Sequence, residues 1–317
     1  MKFIICGDIF LDLFIHGNVN RISPEAPIPI FEPLYKNYCL GGAGNVINNL
    51  SNLSNNIFPI VTIYNDEYGK KILELLKKKK IKIDPRLIFD DHKTITKTRL
   101  CCQNHHLIRI DDEKVVNISK QKENALIKIF EKKIKPYSLV ILSDYGKGLL
   151  TNDLFETLKR IALKNGNRIL VDPRKKNVDP IIYKNVDFIT PNLNEIKNFF
   201  GVKDYSEKDL IEIGKLLVKK YEIKNVIIKC GEKGIIYVNK DYSKIIKSNK
   251  VSVRDVSGAG DTLISVIAYC ISKKMNFMDT LITANKCAGF VVSQPGTYPI
   301  TKKIFKKFLK KWLELTF

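Results

Sequence analysis

Short runs of apolar residues alternate along this chain with longer segments in which apolar residues recur at helical spacing. The runs that predict buried strands lie at 2–6, 57–63, 139–144, 168–173, 186–191, 225–229 and 234–238. The segments that predict helices lie at 41–53, 66–80, 152–164, 261–273, 277–292 and 301–315. This alternation indicates an α/β fold, a doubly wound and mostly parallel sheet flanked by helices. Ligands bind beyond the carboxyl ends of the strands in such sheets.

Two segments, 9–35 and 94–111, interrupt the alternation because they predict extended strands with no helix between their halves. The second is typical of a hairpin that turns near Gln103 and Asn104. We expect the two ribbons to form a small β lid within one domain that covers residues 1–317. A two-stranded ribbon is marginally stable alone, and a second subunit would cover its exposed face. The lid therefore predicts a homodimer.

The charge balance allows several classes of partner. The chain has 54 Lys and Arg against 33 Asp and Glu, a net charge of +21. Nucleic acid, an anionic membrane or an anionic substrate could each explain it. Only 8 of the 54 cations are arginine, whereas proteins that read bases rely on the arginine fork. We therefore expect a solvated basic surface without a nucleic-acid partner.

The apolar runs, the N-terminal stretch and the cysteines indicate where the protein is located. No apolar run approaches the roughly 18 residues that a membrane span needs, and the N-terminal stretch is too polar for a signal peptide. Seven cysteines without a CxxC pair indicate free thiols in a reducing compartment. We expect a cytoplasmic protein without membrane contact. The basic, amphipathic segment 302–315 could lie on a membrane surface, but we interpret it as a helix packed through Phe305, Phe308 and Trp312.

The segment 254–270 carries the strongest chemical motif. A strand-like run ends at Asp255, Gly258-Ala259-Gly260 predicts a tight turn, and an apolar helix follows from about Asp261. The free amides of such a turn and the helix dipole favour an anion. Asp261 could be a simple helix N-cap. A carboxylate against a phosphate-binding turn is costly, however, unless it accepts a proton from the attacking hydroxyl, so we predict Asp261 as the general base.

Two further motifs are weaker alone. In GGAGN, at 41–45, Gly41 and Gly42 allow close approach of the backbone to a ligand, and Asn45 offers a donor and an acceptor. Asn192 and Glu195 lie three residues apart at the start of a predicted helix. That spacing fits a helix capping box, and it also fits a magnesium–phosphate platform at the edge of the sheet.

Together these motifs resemble those of the ribokinase-like carbohydrate kinases, the PfkB family. GGAGN at 41–45, DVSGAGDT at 255–262 and the NxxE motif at 192–195 match in order, across essentially the whole chain. RISPEAP, at 21–27, resembles the branch that phosphorylates D-glycero-β-D-manno-heptose 7-phosphate. Further segments similar to that branch lie at 94–99, 106–111, 143–148 and 171–174. Some relatives carry a C-terminal nucleotidyltransferase domain, and this chain resembles the stand-alone kinase.

The resemblance implies ATP-dependent phosphorylation of the anomeric hydroxyl of the heptose 7-phosphate, giving the 1,7-bisphosphate for nucleotide-activated heptose. Asp261 would be the base. The residues implied for ATP and the anion hole are Asn192, Leu193, Asn194, Glu195, Gly231, Gly258, Ala259, Gly260 and Asn285. Those implied for the sugar are Asp12, Gly41, Gly42, Asn45 and Asp144. Asn192 and Glu195 would hold Mg²⁺ through water, and Asp255 would support a monovalent cation such as K⁺, as in some family members.

The substrate's own phosphate is an anion, so its site requires cations. Arginine suits this role because it can bind phosphate with two donors. The candidates on the ribbons and strand ends are Arg21, Lys97, Arg99, Arg109, Lys147 and Arg174. One position departs from the family pattern: Lys229 stands where relatives usually carry Thr. The alternatives are a related kinase for ribose, fructose 1-phosphate or a nucleoside, and, more remotely, a non-catalytic nucleic-acid-binding protein.

Overall fold

The computed structural model describes residues 1–103, 105–174, 178–201 and 205–313, with side chains in the last helix to residue 309. Its strands are β1 (Phe3–Gly7), β2 (Ile9–Ile22), β3 (Pro29–Gly42), β4 (Ile57–Ile60), β5 (Ile63–Tyr64), β6 (Ile88–Phe89), β7 (Thr96–Cys102), β8 (His105–Asp112), β9 (Leu139–Ser143), β10 (Arg168–Asp172), β11 (Phe188–Ile189), β12 (Asn225–Lys229), β13 (Ile235–Asn239) and β14 (Ser243–Ile246). Its α-helices are α1 (Ala43–Leu53), α2 (Glu67–Lys78), α3 (Lys120–Lys133), α4 (Asn152–Lys164), α5 (Leu193–Phe200), α6 (Glu207–Tyr221), α7 (Ala259–Ser272), α8 (Phe277–Val292) and α9 (Lys302–Leu313).

The main sheet has eight strands in the order β14-β13-β12-β11-β10-β9-β1-β4. The six neighbouring strands β12, β11, β10, β9, β1 and β4 of this sheet are parallel. β13 and β14 add an antiparallel edge. One apolar cluster packs α1, α2, α7, α8 and α9 on one face, and a second packs α3, α4, α5 and α6 on the other. The predicted doubly wound, mostly parallel α/β fold is confirmed. Because the strands are parallel, their carboxyl ends share one edge of the sheet.

The two predicted ribbons are paired in one four-stranded sheet, in the order β3-β2-β7-β8. Its hairpins are antiparallel, whereas β2 and β7 run parallel at its centre. β3 continues to Gly42, past the predicted limit at residue 35, and leads directly into α1. This four-stranded sheet, the lid, is therefore continuous with the GGAGN motif at 41–45. Asn104, placed in the predicted hairpin turn, lies outside the described residues.

Several elements differ from expectation. The run at 57–63 is divided into the edge strand β4 and the short β5, which pairs with β6 outside the main sheet. No strand ends at Asp255, because the amides of Arg254 and Asp255 donate to Val292 at the end of α8 instead of to a ladder. α3, α6 and β14 were not predicted. The strand pairing of β12 with β13 follows the prediction.

The cysteine and C-terminal predictions agree with the structure as far as it describes them. All seven cysteines are free thiols. Phe305 is buried in the core, and Phe308 packs against it, whereas the side chain of Trp312 lies outside the described part. Among the described residues, no helix is long and apolar enough to cross a bilayer.

Candidate active site

The carboxylate of Asp261 is buried in the first turn of α7. Its Oδ1 accepts a 2.6 Å hydrogen bond from the Tyr145 hydroxyl, and its Oδ2 accepts a 2.8 Å bond from Asn45 Nδ2. Tyr145 follows β9, and Asn45 belongs to α1. The N-cap of α7 is Gly258, so Asp261 does not fill the N-cap position that the sequence left open. Its carboxylate is instead held by side chains from two other parts of the chain.

Burial raises the pKa of Asp261 to about 6, and the nearby carboxylate of Asp172 adds to the shift. The hydrogen bonds from Tyr145 and Asn45, together with the ammonium of Lys229, oppose the rise by stabilising the ionised form. A carboxylate with this pKa is largely ionised at neutral pH and is more basic than an ordinary Asp. These are the properties that a general base requires.

The turn before α7 is shaped for an anion. Gly258 has a φ of +80°, and a Cβ at that position would lie 2.6 Å from Asn45 Nδ2. Only glycine therefore fits beside Asn45 without strain. Within the described residues no side chain caps the first turn of α7, which Ala259 and Gly260 begin, and the Ala259 amide makes a long 3.4 Å bond to Val256. Uncapped amides and the positive end of the helix dipole favour a phosphate at this point.

Asn192 and Glu195 form a complete capping box at the start of α5. Glu195 Oε2 accepts a 2.7 Å bond from the Asn192 amide, and Oε1 accepts a 2.6 Å bond from Asn192 Nδ2. The same carboxylate lies 3.9 Å from Lys229 Nζ, which also contacts Asp172 at 2.5 Å. The capping geometry thus places Glu195 in a cluster of charges at the strand ends. Asn192 and Glu195 can therefore cap the helix and also lie where a magnesium–phosphate platform would be, so the two interpretations drawn from the sequence are compatible.

A second polar group lies on the inner face of the lid. Asp12 Oδ1 accepts a 2.5 Å bond from Arg99, and both side chains are buried. The Arg99 guanidinium lies 5.0 Å from the centre of the Phe14 ring. Burial raises the pKa of Asp12, while the charge of Arg99 opposes the rise. A Cβ on Gly41 would approach Asp12 Oδ2 to 2.6 Å, so glycine keeps this corner open.

Phe10 of β2 contacts Tyr145, the residue that donates to Asp261. Its ring packs edge to face on Tyr145, with 5.4 Å between ring centroids. A Cβ on Gly42, whose φ is +61°, would lie 2.4 Å from the carbonyl oxygen of Asp8. Of the predicted sugar residues, Asn45 contacts Asp261 directly, and Gly41 and Gly42 lie beside Phe10. Phe10 and Tyr145 were not predicted, although Tyr145 lies in a segment that carried the family resemblance.

The loop that carries Tyr145 is fixed by buried acids at the ends of β1 and β9. Asp8 accepts bonds from the amides of Lys147, at 3.0 Å, and Leu149, at 2.9 Å. Burial raises the pKa of Asp144 to about 7, although Arg174 lies 3.6 Å away and opposes the rise. Asp144 therefore holds the loop and Arg174 beside the site.

The other cations predicted for the substrate phosphate are dispersed. Lys97 and Lys147 meet at Glu113, at 2.9 and 2.7 Å. Arg109 is paired with Asp111 at 2.9 Å and is largely exposed, on the same face of the lid as its cross-strand neighbour Arg99.

Arg21 behaves differently from these cations. It lies at the far end of β2, exposed, with Glu32 at 3.8 Å. The structure does not bring Arg21 to the base cluster.

The remaining nucleotide candidates surround the end of β12. Gly231, with a φ of +61°, opens the turn after this strand. Asn285 of α8 is buried and donates to the carbonyls of Ile246, the last residue of β14, and of Lys247, so it fixes the end of this strand. Leu193 and Asn194 line a cavity of about 270 Å³ beneath α5 and α6, on the opposite face of the sheet from α8. These last two do not face Asp261.

Asp255 lies beside the turn before α7 and is buried. Its Oδ1 accepts a 2.8 Å bond from the Ser257 amide. Its Oδ2 makes no hydrogen bond within the described residues, and His106 Nε2 from the lid lies 3.6 Å from it. A buried carboxylate oxygen without a donor is suited to a cation.

The arrangement of a buried carboxylate, a helix start without a side-chain cap and a lid is compatible with a sugar kinase. The chain belongs to the pfkB family carbohydrate kinases, whose family model matches residues 19–304. It is 35% identical to "Bifunctional protein HldE" of Aliarcobacter butzleri (strain RM4018) over 94% of this chain. That match spans 62% of the relative, so the chain corresponds to under two thirds of its length.

Solved structures agree with the family at the level of the fold. The phosphofructokinase-2 of Escherichia coli in complex with potassium gives a TM-score of 0.80 at 14% identity, covering 98% of both chains. The ribokinase of Thermotoga maritima gives 0.72 at 20% identity, covering 98% of this chain and 99% of that one. At these identities the likeness shows a ribokinase-like fold, and the fold prediction is confirmed to that extent.

Proposed function

We propose that this kinase transfers the γ-phosphoryl group of ATP to the anomeric hydroxyl of D-glycero-D-manno-heptose 7-phosphate, giving the 1,7-bisphosphate. The observation that carries the proposal is the buried Asp261 at the uncapped start of α7, which accepts a bond from Tyr145. Tyr145 packs on Phe10 of β2, the strand that also carries Asp12 and its partner Arg99. The relative named HldE and the RISPEAP segment at 21–27 favour a heptose phosphate as the acceptor.

In the proposed reaction the anomeric oxygen forms a bond to the γ-phosphorus as the bond from that phosphorus to the bridging oxygen breaks. The hydroxyl proton passes to Asp261, and the electron pair of the broken bond leaves with ADP. The turn Gly258-Ala259-Gly260 stabilises the charge on the transferred group through its amides. The substrate hydroxyl would take the place of the Tyr145 hydroxyl at Oδ1, or share that oxygen with it.

Mg²⁺ fits the donor set formed by the start of α5 and the end of β10. Glu195 and Asp172 offer carboxylate oxygens, which are the ligands that Mg²⁺ prefers. Both Glu195 oxygens already accept bonds from Asn192, so a cation held through water fits better than one bound directly. Bound Mg²⁺ would neutralise phosphate charge. Asn192 and Glu195 would orient its water shell.

A monovalent cation is proposed at Asp255, on the basis of its buried Oδ2. One solved structure that shares this fold, the phosphofructokinase-2 of Escherichia coli, is a complex with potassium. K⁺ at Asp255 would rigidify the turn that leads into α7. Activity that rises with K⁺ but not with choline at equal ionic strength would support this assignment.

The 7-phosphate is assigned to Arg109 as the first candidate, with Lys97 and Arg99 of the lid and Lys147 of the loop after β9 as the others. Arg109 and Arg99 are cross-strand neighbours, and Arg99 already borders the proposed sugar site through Asp12. A substrate with a phosphate at its far end would reach from Asp261 to this face. ATP would approach from the side of α5 and the Gly258–Gly260 turn.

A homodimer through the lid is also proposed. The outer face of the lid exposes Ile108 and Ile110 of β8, which are 53% and 52% exposed. These residues alternate with Arg109 and so lie on the face opposite the proposed sugar site. A second copy of the lid would cover this apolar face and the edge of β8. We place the protein in the cytoplasm, with its product passing to nucleotide-activated heptose synthesis.

The test is an ADP-release assay with purified protein over a panel of acceptors. D-glycero-D-manno-heptose 7-phosphate should give the highest kcat/KM. A higher value for ribose, fructose 1-phosphate or a nucleoside would refute the heptose assignment and leave the kinase family intact. Salt-sensitive DNA binding without ADP release from any acceptor would favour the nucleic-acid alternative.

A further inference from the structure

Lys229, the last residue of β12, projects its ammonium into the charge cluster at the strand ends. Nζ lies 2.5 Å from Asp172 Oδ1 and 3.9 Å from Glu195 Oε2. A Cβ built on Gly260 would lie 3.4 Å from this nitrogen. The ammonium therefore lies directly against the turn that is shaped for an anion. The side chain is largely buried.

The donors of Lys229 are not exhausted by its partners. An ammonium carries three N–H donors, and Nζ makes one hydrogen bond, to Asp172, within the part of the chain that the structure describes. Glu195, at 3.9 Å, lies beyond hydrogen-bond distance. Two donors thus remain for a ligand at the Gly260 turn.

Lys229 is held in place before any ligand arrives. Its Nζ is fixed by Asp172 at 2.5 Å, beside Glu195 at 3.9 Å, in a largely buried position. A cation held in this way stabilises charge without reorganisation.

We propose that Lys229 is a catalytic residue that binds the terminal phosphoryl group of the nucleotide at the Gly258–Gly260 turn and stabilises its charge during transfer. The inference rests on the proposed role of ATP as donor. Phosphoryl transfer spreads negative charge over the equatorial oxygens, so a fixed ammonium there accelerates the reaction. The neutral hydroxyl of Thr, usual at this position in similar kinases, cannot supply a full charge.

A purely structural role is the competing explanation, in which Lys229 only neutralises Asp172. The two roles differ in nucleotide binding, because a phosphate contact favours only nucleotides long enough to reach it. The test compares wild type, Lys229→Met and Lys229→Arg by calorimetric titration with ATP, ADP and AMP. Mg²⁺ is present and sugar is absent, so no turnover occurs. Lys244→Met, an exposed lysine of β14, is the matched control.

For Lys229→Met we expect ATP affinity to fall about 10- to 150-fold, the loss of a charge-assisted contact, while AMP affinity is unchanged. Lys229→Arg should recover part of the loss. Equal losses for ATP, ADP and AMP, or unchanged ATP affinity, would overturn the inference. A wild type that binds no ATP would refute the proposed donor, and this inference with it.

Lys229→Met leaves Asp172 without its partner, so this variant can fail to fold. The double variant Lys229→Met with Asp172→Asn removes both charges and avoids that problem. Asp172→Asn alone is its reference. The ratio of ATP to AMP affinity should fall in the double variant relative to Asp172→Asn, and an equal ratio in the two would overturn the assignment.

Discussion

The substitution Asp261→Asn separates catalysis from stability, because the two should move in opposite directions. The amide keeps the size of the carboxylate but cannot accept the proton of the sugar hydroxyl. Loss of a positioned base typically costs about 10²- to 10⁴-fold in rate. We expect kcat to fall by that factor, with the KM values for both substrates little changed.

The effect on stability follows from the pKa. Burial, with the Asp172 carboxylate, raises the pKa of Asp261 from 3.8 to about 6. Each pKa unit is worth about 1.4 kcal/mol, so ionisation of this group costs the folded state about 3 kcal/mol above pH 6. The amide weakens one of the two bonds from Asn45 and Tyr145, which offsets about 1 kcal/mol. The net gain for Asp261→Asn at pH 8 is therefore about 1–2 kcal/mol.

The sign of the pH dependence is fixed by the direction of the shift. A carboxyl whose folded pKa is raised binds its proton more tightly in the folded protein, so wild-type stability falls as pH rises from about 3.8 to about 6. The stability advantage of Asp261→Asn should therefore grow across this window and remain constant above it.

Urea unfolding at pH 5, 6 and 8 measures the stability difference, and the ADP-release assay measures the rate. Asp241→Asn, at an exposed turn after β13, is the control and should change neither. Turnover within tenfold of wild type would refute the base assignment. A variant that is less stable than wild type at pH 8 would refute the argument from burial.

Three further predictions concern the neighbours of the base and the lid. Tyr145→Phe removes a bond that lowers the pKa of Asp261, so the rising limb of kcat/KM against pH should move upward by about 0.4–1 unit, and an unshifted limb would contradict the argument. Arg109→Ala should raise the KM for the sugar phosphate about 10- to 150-fold without changing that for ATP; if neither constant moves, other lid cations hold the phosphate. Ile108→Lys with Ile110→Lys should convert the dimer to a monomer of 36.3 kDa in sedimentation, and a fully active wild-type monomer would exclude the lid interface.

The fold could be predicted because periodicity along the chain is local information. The runs at β9, β10 and β12 are buried on both faces, which marks parallel strands. The strand-like run predicted to end at Asp255 is not a strand. The amides of Arg254 and Asp255 bond to Val292 at the end of α8, a partner that sequence pattern cannot identify. α6 was missed although its Ser206 and Asp209 form a capping box.

The site was predictable where small residues and strand ends mark it. The GAG motif was enough to single out Gly258 and Asp261. The 2.8 Å hydrogen bond between Asn45 and Asp261 agrees with the resemblance, which assigned both residues to the site. The cations were harder, because a sequence gives a charge but not its partner. Arg99 is buried against Asp12, whereas Arg21 remains exposed at the far end of the same sheet. Strand pairing and register decide between these outcomes.

Several charged side chains lie close to Asp261 and to the turn before α7. Within the described part of the chain, Asp172, Glu195 and Asp261 share a single fixed ammonium, Lys229, so the cluster carries excess negative charge before any ligand binds. Burial and, after it, the Asp172 carboxylate raise the pKa of Asp261, so this carboxyl is more basic than an ordinary Asp. The excess charge also opposes a phosphate, which can therefore enter only with compensating cations. In the proposed reaction Lys229 supplies one such charge, and a bound divalent cation would supply the rest. The Asp172 carboxylate thus contributes both to the basicity of Asp261 and to the need for added cations.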